Sequence, residues 1–153
     1  MVRIIQIIPN LKKGGAERLV LDICNELVKR EGIILKIIVF SEQNDYKFLT
    51  QNLDLEYVSA SISLSLIKKS YFNIDNLQLC IDKFKPDIIN SHLYEAEIVS
   101  RSCNYLNTMW FSHSHDNMKQ FRNLTLSTFF YKHFFTNYIE NEFEHLEYKN
   151  DKQ

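Results

Sequence analysis

Ile4-Ile5-Gln6-Ile7-Ile8-Pro9-Asn10-Leu11-Lys12-Lys13-Gly14-Gly15-Ala16-Glu17-Arg18-Leu19-Val20-Leu21-Asp22 reads as a buried strand that passes through a glycine pair straight into an amphipathic helix. A β-branched apolar run of this kind suits a parallel strand covered on both faces. Two adjacent glycines let the backbone turn tightly and come close to another molecule. The helix start beyond them aims unpaired N–H donors and the positive end of the helix dipole at the turn, which favours a phosphate or carboxylate beside Gly14 and Gly15. A plain tight turn is the competing reading, because the pair is not the G-x-G-x-x-G fingerprint.

Working outward, Leu19, Val20, Ile23, Cys24, Leu27 and Val28 recur at helical spacing and predict a helix over 15–31 with one apolar stripe. Gly32 ends it, and the apolar segment 33–40 follows as a second strand, so the first two strands pair in parallel around a crossover helix. Residues 45–51 suit a short helix, 55–58 a weaker strand, and at least the second half of 64–84 a helix. Pro86 then punctuates, and Asp87 to Ser91 is a short buried strand with His92 at its carboxyl end. Residues 94–106 have a helical pattern, 108–112 a fifth strand, and another helix begins near Phe121. This alternation predicts an α/β, Rossmann-like fold: an open, mostly parallel sheet with helices on both faces. Ligands of such folds bind at the carboxyl ends of the strands, where Gly14, Gly15, His92, His113 and His115 all fall.

A length of 153 residues suits one domain with a sizeable core, and 45% hydrophobic with 24% charged residues excludes a disordered chain. The expected domain runs over 1–139, and 140–153 reads as a charged, solvated tail. A net charge of -1 supplies no global drive toward nucleic acid. Cys24, Cys80 and Cys103 are odd in number, widely spaced and set in helical patterns, as buried free thiols of a reducing compartment would be. No apolar run reaches membrane-span length and the chain opens directly into a strand, so a cytoplasmic location is expected. Phe129, Phe130, Tyr131, Phe134, Phe135 and Tyr138, mixed with Lys132 and His133, raise peripheral membrane contact as a rival to simple burial against the sheet.

Three segments resemble the N-terminal domain of GT-B glycosyltransferases, in particular the retaining, family 4-like group. Ile7-Ile8-Pro9-Asn10-Leu11 with Gly14-Gly15-Ala16-Glu17-Arg18 looks like that family's first strand, glycine loop and first helix. Lys85-Pro86-Asp87-Ile88-Ile89-Asn90-Ser91-His92 looks like its strand ending in a short polar loop, and Ser114-His115-Asp116-Asn117 resembles its strand ending in a histidine. The resemblance implies a domain that binds mainly the sugar acceptor, facing a second Rossmann-like domain that binds the nucleotide sugar. It implies that Gly14 and Gly15 face the donor diphosphate and that His115 is the cleft histidine, orienting a sugar hydroxyl. Arg18, His92, Asp116 and Asn117 join the substrate- or phosphate-binding set, and transfer is expected to need neither metal nor resident cofactor.

The chain departs from the family's pattern after residue 139, where no donor domain and no paired-glutamate motif follow. The expectation is therefore half of a transferase of polysaccharide biosynthesis, truncated, inactive alone and completed by a separate donor-binding chain. A non-catalytic acceptor- or phosphate-binding module is the first alternative. A hydrolase with a metal held by His113, His115 and Asp116 is the second, although no metallohydrolase spacing accompanies them.

Overall fold

In the computed structural model, which describes residues 1–63, 71–105 and 107–113, strand β1 (Val2–Ile8) is the middle of a five-stranded sheet. Its neighbours are β2 (Ile33–Val39) on one side and β6 (Ile88–His92) on the other. β3 (Leu55–Tyr57) and β7 (Met109–His113) form the two edges, giving the order β3-β2-β1-β6-β7 with every pairing parallel. A second, antiparallel pair joins β4 (Ser61–Ser63) to β5 (Tyr71–Asn73). The described residues all belong to the compact unit Met1–His115, so the expected division at residue 139, the helix near Phe121 and the charged tail lie outside them.

Side chains of β1 alternate between two cores, as a strand covered on both faces requires. Ile4 and Ile8 meet Val20, Leu21 and Cys24 of α1 (Gly15–Leu27), with Ile37 and Val39 of β2 on the same side. Ile5 and Ile7 face Leu77, Cys80, Ile81 and Phe84 of α3 (Asp75–Phe84), with Ala96 and Val99 of α4 (Leu93–Arg101). The short α2 (Lys47–Thr50) contributes Leu49 beside the first core. Helices thus cover both sheet faces, and the expected fold class is what the chain adopts.

Several boundaries differ from expectation for local reasons. α1 stops at Leu27, and the amides of Val28, Lys29 and Arg30 make turn bonds until Gly32, at φ 82°, reverses the chain into β2. That left-handed conformation is what glycine supplies without strain. Leu19, Ile23 and Val28 stay exposed, so the buried stripe of α1 is narrower than its apolar spacing suggests. α4 ends at Arg101 instead of near residue 106, and Ser61–Ser63 and Tyr71–Asn73 pair as strands where no strand is expected. No helix among the described residues is long and apolar enough to cross a membrane.

Candidate functional site

The strand order places a topological switch point between β1 and β6, because the chain leaves β1 toward β2 on one side and reaches β6 on the other. Open α/β sheets bind ligands in the crevice beyond the carboxyl ends at such a point. β1 runs there into the glycine loop, and β6 ends there at His92, one residue past the Ile7–Ser91 register pair. His113, at the end of β7, is the register partner of His92.

The glycine loop is laced to the segment that follows β2. Phe40 N–H donates to the Pro9 carbonyl at 3.1 Å, Asp45 N–H to the Leu11 carbonyl at 2.9 Å, and Lys13 N–H to Asp45 Oδ2 at 2.9 Å. The Tyr46 hydroxyl brackets Gly14, accepting its N–H at 3.0 Å and donating to its carbonyl at 2.7 Å. Gly14 is the N-cap of α1 in an extended conformation, φ -160°, which any residue adopts. Neither Gly14 nor Gly15 is at positive φ, which among the glycines Gly32 alone adopts, so no left-handed backbone demands the pair.

Packing does not demand the pair either, since the one close neighbour is the movable end of a side chain. A Cβ on Gly14 would run into the Glu17 carboxylate, whereas a Cβ on Gly15 would meet nothing within 4 Å. No side chain caps α1, so the first-turn amides beyond Gly14 are the donors this helix presents at the edge. Glu17, folded over Gly14, sets a negative charge at the same helix start. Arg18 points its guanidinium along the helix to Asp22, with Nε 2.9 Å from both carboxylate oxygens, and lies 6.0 Å from the Phe48 ring. It is half exposed, so the pair is a solvated helix-face contact.

At the other side of the switch point His92 is buried, and its Nε2 lies 2.6 Å from Oε1 of the equally buried Gln6. Its ring stacks on that of His113, with centroids 5.2 Å apart and planes inclined by 22°. Between these strands Asn90, in register with Gln6, keeps a buried Oδ1 with no hydrogen-bond partner. β6 enters α4 without a loop, through Leu93 at φ 67°, a strained conformation for a branched side chain.

The structure thus brings Gly14, Gly15, His92 and His113 to one sheet edge, adds Gln6, and turns Arg18 toward Asp22. His115, Asp116 and Asn117 lie outside the described residues. Gln6 was visible in the sequence as the one polar intrusion in an isoleucine strand, but its partner becomes apparent only when β6 is laid beside β1. Among the described residues no group of three His, Cys, Asp or Glu could hold a metal. The thiols lie apart from this edge chemistry. Burial pushes Cys24 up to about 12 and Cys103 to about 12, and burial with the Glu56 carboxylate pushes Cys80 to about 11. Two hollows that described residues line lie elsewhere. One of about 690 Å³ sits at the amino ends of β6 and β7, and one of about 280 Å³ between β3 and α3.

No protein family profile matches the chain, and no curated protein matches it significantly. Among solved structures it is similar to MurG of Acinetobacter baumannii, with a TM-score of 0.52 and 10% identity. The match covers 74% of this chain and 35% of that one, so the chain spans about a third of MurG's length. At that identity the likeness speaks for the fold, and the chain carries a Rossmann-like, open parallel α/β domain similar to part of MurG.

Proposed function

We propose that this domain is the acceptor-side half of a GT-B glycosyltransferase, retaining and family 4-like, that moves a sugar from a nucleotide-sugar donor to a glycan or lipid-linked acceptor. The observation that carries the reading is Gly15, a residue whose missing side chain the fold does not need, standing at the start of α1 on the switch-point edge. A bare backbone there suits close approach by another molecule. The GT-B fold likeness supports the same assignment.

On this reading the donor diphosphate approaches Gly14 and Gly15 from a second Rossmann-like domain, and the first-turn amides of α1 face its charge. The Gly14 amide is already held by Tyr46, so the free donors begin at Gly15. In the transfer the sugar–phosphate bond breaks with its electron pair going to the diphosphate, the acceptor oxygen bonds to the sugar carbon, and that oxygen's proton passes to the departing diphosphate oxygen. The histidine and its followers just beyond β7, His115, Asp116 and Asn117, orient sugar hydroxyls, and no resident metal is required. In polysaccharide biosynthesis such a half would work at the cytoplasmic side, with membrane contact where the acceptor is lipid-linked.

Calorimetric titration of the chain with nucleotide sugars and glycan acceptors, with and without a candidate donor-domain polypeptide and with turnover followed in parallel, tests this. Turnover that appears with the partner and is lost in Gly15→Ala supports it. Acceptor binding with no turnover in any mixture would replace it with the non-catalytic binding module.

A further inference from the structure

The hollow of about 690 Å³ opens at the end of the sheet opposite the switch-point edge, where β6 and β7 begin. Its volume is within the range of small-molecule sites, roughly 300–1,000 Å³. β6 is five residues long, so at about 3.3 Å per residue the hollow lies on the order of 15 Å from the edge that carries Gly15 and His92. Hydrogen bonds between distant segments hold its walls. The Gln78 side chain of α3 donates through Nε2 to the Asn104 carbonyl at 2.8 Å and to Asp82 Oδ1 at 2.9 Å, and its Oε1 accepts the Asn104 N–H at 2.7 Å. Thr108 Oγ1 donates to the Pro86 carbonyl at 2.8 Å, and the Asp87 carboxylate accepts the Arg3 N–H at 2.7 Å. The lining is therefore set before a ligand arrives, which lowers the ordering cost of binding.

The lining combines apolar surface with polar groups of both kinds. Ile81, Pro86 and the half-buried Tyr105, which packs against the core on the α3 side, supply the apolar part. Asn104 and Asn107 bring amides that both donate and accept, and Asp82, Asp87 and Lys85 add two carboxylates and one ammonium. Among the described residues no hydrogen bond engages the side chains of Lys85, Asn104 or Asn107. An anion here would face both carboxylates and a cation the lysine, so charge selects neither. A neutral molecule with an apolar C–H face and many hydroxyls, each able to donate and accept, matches the whole lining. Backbone conformation adds a second observation. Lys85 at φ 51° and Asn107 at φ 59° lead into β6 and β7 in the left-handed region, which glycine would occupy without strain. The rim thus carries two polar side chains where the backbone by itself would be better off without them.

We propose that this hollow binds a short neutral saccharide, with ring C–H groups against Tyr105 and hydroxyls on Asn104, Asn107, Lys85 and the carboxylates of Asp82 and Asp87. The site holds a glycan without transforming it, and it stands whether or not the switch-point edge belongs to a transferase.

Proton–nitrogen correlation spectra of the full chain, titrated with maltotriose, cellotriose and tri-N-acetylchitotriose and with polyethylene glycol as the control, test this. At least one trisaccharide is expected to give saturable shifts at Asp87, Asn104, Asn107 and Thr108 while Gly14 and Gly15 stay in place, and polyethylene glycol is expected to give none. Asn107→Gly and Lys85→Gly each remove a side chain and relax its backbone, so both are expected to fold. Each is expected to bind that trisaccharide about three- to tenfold more weakly, the loss of one hydrogen bond. No saturable shift at the hollow with any of the three at millimolar concentration overturns the proposal, and that measurement needs no variant. Unchanged affinity in both variants, or equal shifts with polyethylene glycol, also overturns it. So do saturable shifts confined to Gly14 and Gly15, which would assign the saccharide to the switch-point edge. No donor domain or turnover enters these readouts, so their failure is distinct from failure of the transferase assignment.

Discussion

Gly15 separates what the fold requires from what a ligand would require. Its missing Cβ would touch nothing within 4 Å, and it occupies the first position of α1. Gly15→Ala should leave melting unchanged or raise stability by up to about 1 kcal/mol, since alanine is the better helix residue. The same substitution should weaken binding of any molecule that packs on this backbone, so thermal melting and calorimetry of one variant divide the two roles. Glu17 acts in the opposite sense, because its carboxylate lies over Gly14 at the end of the helix that favours anions. Glu17→Gln should tighten pyrophosphate binding about two- to fivefold, the equivalent of roughly 0.5–1 kcal/mol of helix-end electrostatics. Unchanged or weaker affinity in that titration would mean that no anion approaches this turn.

Among the elements, α3 ends with a residue that fits its position poorly. Lys85 adopts φ 51° as the left-handed cap, while its N–H still donates to the Ile81 carbonyl at 2.8 Å. Glycine takes that conformation without a Cβ penalty, so Lys85→Gly should stabilise the domain by about 0.5–1 kcal/mol after glycine's extra unfolded-state entropy is subtracted. Urea unfolding measures this, and a lower midpoint would show that the lysine side chain contributes more than its backbone costs. On the neighbouring strands Lys36 bridges β2 to β3 through Glu56 at 2.9 Å and Asp54 at 3.1 Å. Burial works against its charge, yet the two carboxylates outweigh burial and hold Lys36 above its ordinary range, while Lys36 pulls Glu56 below its own. Both carboxylates are about half exposed, so this bridge orients the edge strand more than it stabilises it.

For the molecule as a whole, the three buried thiols couple stability to alkaline pH. Each is raised above the ordinary 9.0 by loss of solvent, so the folded state keeps protons that the unfolded state releases. Their contribution is complete below pH 9 and is lost as pH rises from 9 through about 11 to 12. Other groups titrate in this range, so the diagnostic is a comparison: the melting temperature of wild type should exceed that of Cys24→Ala by a margin that shrinks above pH 9. A constant margin up to pH 11 would mean that Cys24 ionises no harder in the fold than in the unfolded chain. The likeness to MurG belongs to this scale too, since it rests on the arrangement of the sheet and its helices and not on a 10% identity.

Sequence alone determined the alternation of strands and helices, the parallel sheet and the edge at which Gly14, Gly15, His92 and His113 fall, because hydrophobic period and glycine or proline punctuation are local signals. It also marked Cys24, Cys80 and Cys103 as buried free thiols, from their odd number, wide spacing and helical patterns. The β4–β5 pair was not legible, because a three-residue strand carries too little periodicity to stand out from a serine-rich stretch. Which apolar residues of α1 are buried depended on how much of the helix the sheet covers, and so Leu19 and Ile23 face solvent despite their spacing. The Tyr46 clasp on Gly14 and the Gln6–His92 bond were decided only in three dimensions: 32 and 86 residues separate the partners, the segment after β2 carries Tyr46 to the glycine loop, and strand order lays His92 beside Gln6.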